Sequence, residues 1–450
     1  MDVTARIARF VVESRYERIP SRAVENAKSA MLDCLGVALA GSKEGSAGIC
    51  AQIARQEGAK EEATVLGQGF KSSALQAAFA NGTAAHALDY DHSFALMGQP
   101  TAPIIPGLFS LGESLGASGR ELLEAYVAGF EVTAKLVFSL RDSNQEGWHA
   151  PGTLGSLGAG VACAKLLGLN FAEVQMALGI TASMASGVVS NFGTMSKPLH
   201  VGLAARNGVL AAKLAQSGYT ANAWALEAEL GFYDTYYRVT PTENGPLGEL
   251  GESYALVSHG IRIKPYPCGG LAHPAIDAML ALRADHGITA EMVESIDVDV
   301  TQHTYNRIAF RIPQTGLQGK FSMGYLLARA IIDGKVALDA FTDLAVRDQD
   351  VLSLAERVHM RLDSNLKGSH EGSRPCKVTV RLRNEQSHSR QVENAKGSRE
   401  VPLTPNELRA KFMECARQAV SESYASRAME YVEHLETVED VRLLCEILMG

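Results

Sequence analysis

Several absences narrow what this chain can be. Its seven cysteines, at positions 34, 50, 163, 268, 376, 415 and 445, form no CxxC pair and no short Cys/His array. That excludes an ordinary structural zinc site and gives no local iron–sulfur signature. An odd number of scattered thiols also argues against a disulfide framework and for a reducing, cytoplasmic setting. No Lys/Arg run is long enough to make a basic stripe, and 42 Lys+Arg against 50 Asp+Glu leave a net charge of −8. Nucleic acid is therefore not expected as a partner. The opening MDVTARIARFVVESRYERIP alternates charge with apolar residues at helical spacing instead of showing a secretory leader. Long hydrophobic runs are missing too. Leu154–Leu167 and Met176–Val189 carry a lysine or several Ser/Thr and fall short of the roughly 20 apolar residues that a spanning helix needs. No membrane partner is expected, and these stretches read as buried helices. Repeats and low-complexity segments are absent as well.

What is present is the composition of an ordinary globular protein, 46% hydrophobic and 20% charged, in a 450-residue chain with room for two or three domains. From Ser21 to Ala40 the residues Val24, Ala27, Met31, Cys34, Leu35 and Ala38 recur at three- and four-residue steps, with Ser21 expected as N-cap and Gly41 closing. Ser118-Gly-Arg-Glu121 and Thr404-Pro-Asn-Glu407 each read as a capping box. Helical patterns also cover Leu154–Leu167, Ala172–Ser186, Pro198–Gln216, Phe321–Ile332 and Thr404–Ser421. The Gly/Ala clusters, such as LGSLGAGVACA, follow no strand, so tight helix packing is preferred to a nucleotide loop. After about residue 260 the period changes: Ile296, Val298 and Val300 alternate with aspartates, and Val378, Val380 and Leu382 alternate with polar residues before Asn384-Glu385. Those are strand patterns, the second consistent with a hairpin. The expected fold is mainly α, with a large all-helical domain formed by both chain ends (1–260 and 400–450) and a smaller α+β lid domain (261–399).

Four segments gather chemistry. HALDYDHSFALMGQP, residues 86–100, packs His86, Asp89, Asp91, His92, Ser93 and Gln99 into a helix end running into a loop. NFGTMSKPLHVGLAARNG, residues 191–208, sets Lys197 at a helix start, where Ser196 or Thr194 can cap and Pro198 suits the first turn. A cation there opposes the helix dipole, which makes Lys197 a candidate to bind a carboxylate or to exchange protons. IKPYPCGGLAHPAID, residues 263–277, is a rigid Pro/Gly segment carrying Lys264 and leading to His273, whose imidazole can serve as acid or base or simply cap the next helix. GWHAPGT, residues 147–153, offers His149, with packing of the Trp148-His149 pair as the competing reading.

Together these segments resemble the MmgE/PrpD family: HALDYD, GWHAPGTLG, NFGTMSKPLHVGLAARNG and HPAID stand in the family's order and at about its spacings across essentially the whole chain. Its members include 2-methylcitrate dehydratases, cis-aconitate decarboxylases and iminodisuccinate epimerases. The resemblance implies a helical domain made of both termini, a smaller α+β lid, an active site between them, a homodimer, and no metal or organic cofactor. It also implies a lyase that moves a proton at the carbon next to a carboxylate of a small di- or tricarboxylate, with an epimerase or an inactive carboxylate-binding homologue as alternatives. Asp89, Ser93, Lys197 and His273 match family site positions, and Tyr325 in KFSMGY matches less closely. Lys197 would neutralise a carboxylate or developing enolate, His273 would exchange the proton, and Asp89 would act as base or orient a cation. His149, Gln99, Lys264 and His86 are the expected substrate-binding residues. The chain departs from the family where DxDD[ST] becomes Asp89-Tyr-Asp91-His92-Ser93 and the usual His-Pro becomes Gln99-Pro100. Glutamine does not titrate, so His92, gained in the same loop, is the expected replacement acid.

Overall fold

The computed structural model describes residues 2–94, 97–140, 147–239, 245–308, 310–368 and 374–450. It is mostly helical and divides into two compact units, Met1–Ile263 with Thr404–Gly450, and Lys264–Leu403. Among the described residues no helix is long and apolar enough to cross a membrane.

The first unit holds α1 (Val3–Glu13), α2 (Ser21–Gly41), α3 (Gly45–Gln56), a two-stranded ribbon of β1 (Ala63–Val65) and β2 (Phe70–Ser72), α4 (Ala74–Ala87), α5 (Thr101–Leu115), α6 (Gly119–Ser139), α7 (Ala150–Leu166), α8 (Phe171–Met184) and α9 (Ser196–Gln216), then the short α10 (Phe232–Tyr237) and α11 (Ala255–Ser258). The reciprocal Ser118/Glu121 box does start α6. Ser21, by contrast, is the first helical residue of α2 and makes no side-chain cap, because Pro20 takes the N-cap position. α4 packs on α9, α9 on α7, and α7 on α6. Small residues set these crossings. A Cβ on Gly82 would lie 2.9 Å from Gly202 Cα, and one on Gly158 would lie 2.0 Å from Thr133 Oγ1, so a side chain at either would push helices apart. The Gly/Ala clusters are thus packing surfaces. The Gly82/Gly202 contact brings the end of α4 beside the start of α9.

In the second unit, β3 (Val293–Val300), β4 (Val358–Leu362), β5 (Cys376–Leu382) and β6 (Ser387–Val392) form one sheet in the order β4-β3-β5-β6. β3 pairs parallel with β4 and antiparallel with β5, and β5–β6 is the hairpin read from the sequence. Ile296, Val298, Val378 and Val380 are sealed in a core with Ala275, Met279 and Leu282 of α12 (His273–His286) and Leu326 of α15 (Met323–Ile332), the short α13 (Gln302–Arg307) and α14 (Gly316–Gly319) lying between these helices in sequence and α16 (Gln349–Ala355) following. Asp297 is buried yet answered by Arg381 at 2.7 Å and Arg361 at 3.3 Å, as a buried carboxylate requires.

α17 (Pro405–Ala416), opened by the Thr404/Glu407 capping box, returns the chain to the first unit and packs on α2. It ends five residues before the expected limit at Ser421, which instead caps α18 (Glu422–Glu433); α19 (Arg442–Ile447) follows.

Candidate active site

α4 is apolar and small-residued, capped at Ser73 by the Gln76 N–H, and it stops where Leu88 gives way to Asp89. Asp89 has φ +52°, a left-handed conformation that Asp tolerates better than most side chains, and its N–H still donates to His86 O at 3.2 Å. The reversal turns Asp91 back onto the helix it has just left. His86 Nδ1 lies 3.0 Å from each Asp91 carboxylate oxygen, with both side chains sealed from solvent. The Asp91 carboxylate accepts from His86 Nδ1–H, and among the described residues Nε2 has no hydrogen-bond partner.

Asp89 pairs with α9 instead. Lys197, the second residue of α9, reaches it with Nζ 2.8 Å from Oδ1. The unfavourable dipole position is thereby offset by an opposite charge, and the Phe192 ring lies 5.5 Å from the ammonium. Asp89 and Lys197 retain 11% and 12% side-chain exposure against 2% for Asp91 and none for His86, so this pair forms the outer edge of the cluster.

His149 occupies the N-cap of α7, its backbone N–H donating to Gly187 O at 2.9 Å. Its ring centroid is 5.5 Å from His86, 4.9 Å from Phe192 and 5.3 Å from His200 on α9, with Nδ1 to Nδ1 of His200 at 3.2 Å. Burial, then the neighbouring His86 and Lys197, hold His149 well below the usual imidazole range, and the same causes lower His200. Both are neutral at pH 7. Trp148 packs separately, 4.9 Å from Tyr236.

His86, Asp89 and Asp91 each offer a donor atom within 4.8 Å of the others. A nitrogen and two carboxylates suit a divalent ion, but such an ion would first have to displace the Lys197 ammonium from Asp89.

The MmgE/PrpD N-terminal domain matches residues 5–244, and the MmgE/PrpD C-terminal domain matches residues 266–437. The chain belongs to the MmgE/PrpD family. Cis-aconitate decarboxylase of Homo sapiens is 26% identical over 465 residues, spanning 100% of this chain and 95% of its own length. Its counterpart in Mus musculus is 26% identical over 462 residues, with 100% and 93% covered. Cis-aconitate decarboxylase of Aspergillus terreus is 25% identical over 476 residues, with 99% and 96% covered.

The other residues singled out in this MmgE/PrpD chain have local partners of their own. His92 is sealed in a second network: its backbone N–H donates to Asp33 Oδ2 at 2.9 Å, Nδ1 lies 3.9 Å from the same oxygen, and Nε2 is 3.0 Å from Thr101 Oγ1, which in turn meets Tyr126 OH at 2.7 Å. Burial pushes this imidazole down, against the pull of Asp33 and Asp91. Lys411 of α17 closes the network, 2.6 Å from Asp33 Oδ1 and 2.9 Å from Tyr90 O, over the Tyr90 ring. Ser93 pairs its backbone with Arg262 at 2.8 and 3.1 Å, and the half-buried Gln99 precedes α5. Within the second unit, Lys264 is buried, and His273 opens α12 with Nε2 3.3 Å from Cys268 O and its ring edge-on to Tyr266 at 5.3 Å. Tyr325 is fully buried; its hydroxyl donates to Ala340 O and accepts from Arg329 Nε at 3.0 Å, which binds it into the unit's own framework.

Several members of these clusters were not anticipated, among them Asp33, Thr101, Tyr126, His200 and Lys411. His200 stands three residues after Lys197 on one helix, so the i, i+3 spacing that puts both on one face is a signal the sequence did carry. Lys411 carries none, since nothing local ties a C-terminal lysine to Asp33.

Proposed function

We propose that this protein is a lyase of the MmgE/PrpD family acting on a small di- or tricarboxylate, cleaving a bond to the carbon next to a carboxylate by proton transfer. The observation that carries the reading is the Lys197–Asp89 pair at the outer edge of a buried histidine cluster. Cleavage beside a carboxylate leaves negative charge on carbon and on the carboxylate oxygens, and a fixed ammonium in a water-poor site stabilises that charge far better than water does. Lys197 receives the substrate carboxylate, and Asp89 holds the ammonium in place until it arrives. His149, neutral at pH 7 and beside Lys197, supplies a proton to the carbon; Gln99 has none to give. His273 keeps the proton-exchange role that the family resemblance assigns. The cis-aconitate decarboxylases that align over nearly the whole chain support carbon–carbon cleavage as the first activity to test, with dehydration as its near relative.

A second reading, an epimerase of the same family, draws on one feature: Gln99 replaces a family histidine, and an epimerase expels no leaving group that would need an acid. Proton NMR of the purified protein in D₂O with cis-aconitate, 2-methylcitrate, citrate and iminodisuccinate separates these. Loss of a substrate with a new alkene signal is the lyase result, with one deuterium taken up where CO₂ leaves and none where water leaves. Exchange of a Cα proton with the skeleton intact replaces it with the epimerase. A folded protein inert toward all four acids but stabilised by one of them is a carboxylate-binding homologue.

A further inference from the structure

The Nδ1 to Nδ1 contact of His149 and His200 has a consequence for the proton. Both rings are buried, and both stand near the Lys197 cation, so neither carries a charge at neutral pH. Two neutral imidazoles meeting Nδ1 to Nδ1 at 3.2 Å need one N–H and one lone pair between them, and so must be opposite tautomers. One arrangement leaves the outer nitrogen of His149 bare, and the other leaves it protonated.

The backbone is shaped to hold this contact. Gly187 accepts the His149 backbone N–H at 2.9 Å and sits at φ +116°, and a Cβ on it would lie 3.0 Å from His200 Cγ and Nδ1. Only glycine suits that conformation and also leaves room for the second ring. One residue thus anchors His149 by its backbone and admits His200 by its missing side chain.

We propose that His200 is the positioning residue that makes His149 a proton donor: His200 Nδ1–H donates to His149 Nδ1, which puts the His149 proton on Nε2. A neutral imidazole cannot release a proton alone without becoming an anion. With His200 behind it, His149 gives its Nε2 proton to the substrate carbanion while its Nδ1 takes the His200 Nδ1 proton, and His200 Nε2 takes one from water, leaving the carbanion's charge on hydroxide in the solvent. The new C–H bond, the broken N–H bonds and the solvent proton balance, and both rings stay neutral throughout. The step rests on the lyase reading above, but the hydrogen bond and its tautomers do not.

Histidine-selective ¹⁵N labelling of the intact protein at pH 7 reads the tautomers directly from ring-nitrogen shifts. The expected spectrum shows His149 protonated at Nε2 and His200 at Nδ1, assigned by His200→Gln and His149→Gln; the reverse pair of tautomers overturns the proposal whether or not any acid turns over. In turnover, His200→Leu is expected to lower kcat by at least ~10²-fold, the scale of a general acid, with KM within about twofold. His200→Gln, which keeps a donor to His149 Nδ1 but cannot relay, is expected to hold the His149 tautomer and still lose kcat. Folded His200→Leu with wild-type kcat overturns the relay.

Discussion

Two buried polar clusters grow from the same seven residues of the first unit, and they are built to opposite ends. On one side His92 and Tyr90 join Asp33, Lys411, Thr101 and Tyr126, where the buried carboxylate has an ammonium at 2.6 Å and an N–H at 2.9 Å. On the other side His86, Asp89 and Asp91 join Lys197, His149 and His200, where the ion pair keeps about a tenth of its surface exposed and His86 Nε2 has no partner among the described residues. A closed network fixes a loop, whereas an open one has capacity left for a ligand. Charge and histidine content alone do not separate them, and each leaves one buried imidazole nitrogen without a hydrogen-bond partner among the described residues, His92 Nδ1 and His86 Nε2; the exposure that the Lys197–Asp89 pair keeps does separate them.

The largest effect should come from opening the closed network. Lys411→Met leaves Asp33 buried without its ammonium and is expected to lower stability by about 3–5 kcal/mol, measured by urea unfolding. Lys197→Met attacks the other cluster and should do the reverse: an unfolding midpoint close to wild type, with kcat reduced roughly 10²–10³-fold in the NMR turnover assay. Glu131 is an intermediate case, a buried carboxylate answered by the Ala255 N–H at 2.6 Å and by Lys135 only at 3.6 Å. Burial raises it from 4.5 to about 7. The folded state therefore keeps a proton that the unfolded chain has lost, so this contribution to stability is complete below about 4.5 and disappears as pH rises through about 7. Glu131→Gln is expected to remove about 1–3 kcal/mol of that pH dependence, read from urea midpoints at pH 5 and pH 8. The smallest change concerns His92. His92→Asn should cost about 1 kcal/mol of stability and leave kcat/KM within a few-fold, whereas a loss as large as that of Lys197→Met would restore His92 as the acid that replaces Gln99.

Legibility in the sequence followed the range of the interaction. The boxes at Ser118/Glu121 and Thr404/Glu407 were readable because donor and acceptor lie three residues apart, and the β5–β6 hairpin because its alternation is local. The parallel partner β4 was missed, since its five residues VHMRL show no clean alternation and parallel pairing is decided at long range. The break after Ala416 was missed because its signal, Ser421, read equally well as the end of one helix or the cap of the next. At the site, Asp89 and Lys197 were legible as residue types out of place, a carboxylate at a helix end and a cation at a helix start. The left-handed turn at Asp89 hid the rest: it directs Asp91 to His86, so that neighbours in sequence end in different clusters.

The most direct test is calorimetric titration of cis-aconitate at pH 7 into the wild-type protein and into folded Lys197→Met. If the open cluster receives a carboxylate at Lys197, the wild type binds with an affinity that falls as salt rises, and the variant binds at least ~10-fold more weakly, the effect of losing one charge-assisted contact. Equal affinity in the two proteins would contradict that placement and move the carboxylate away from Lys197.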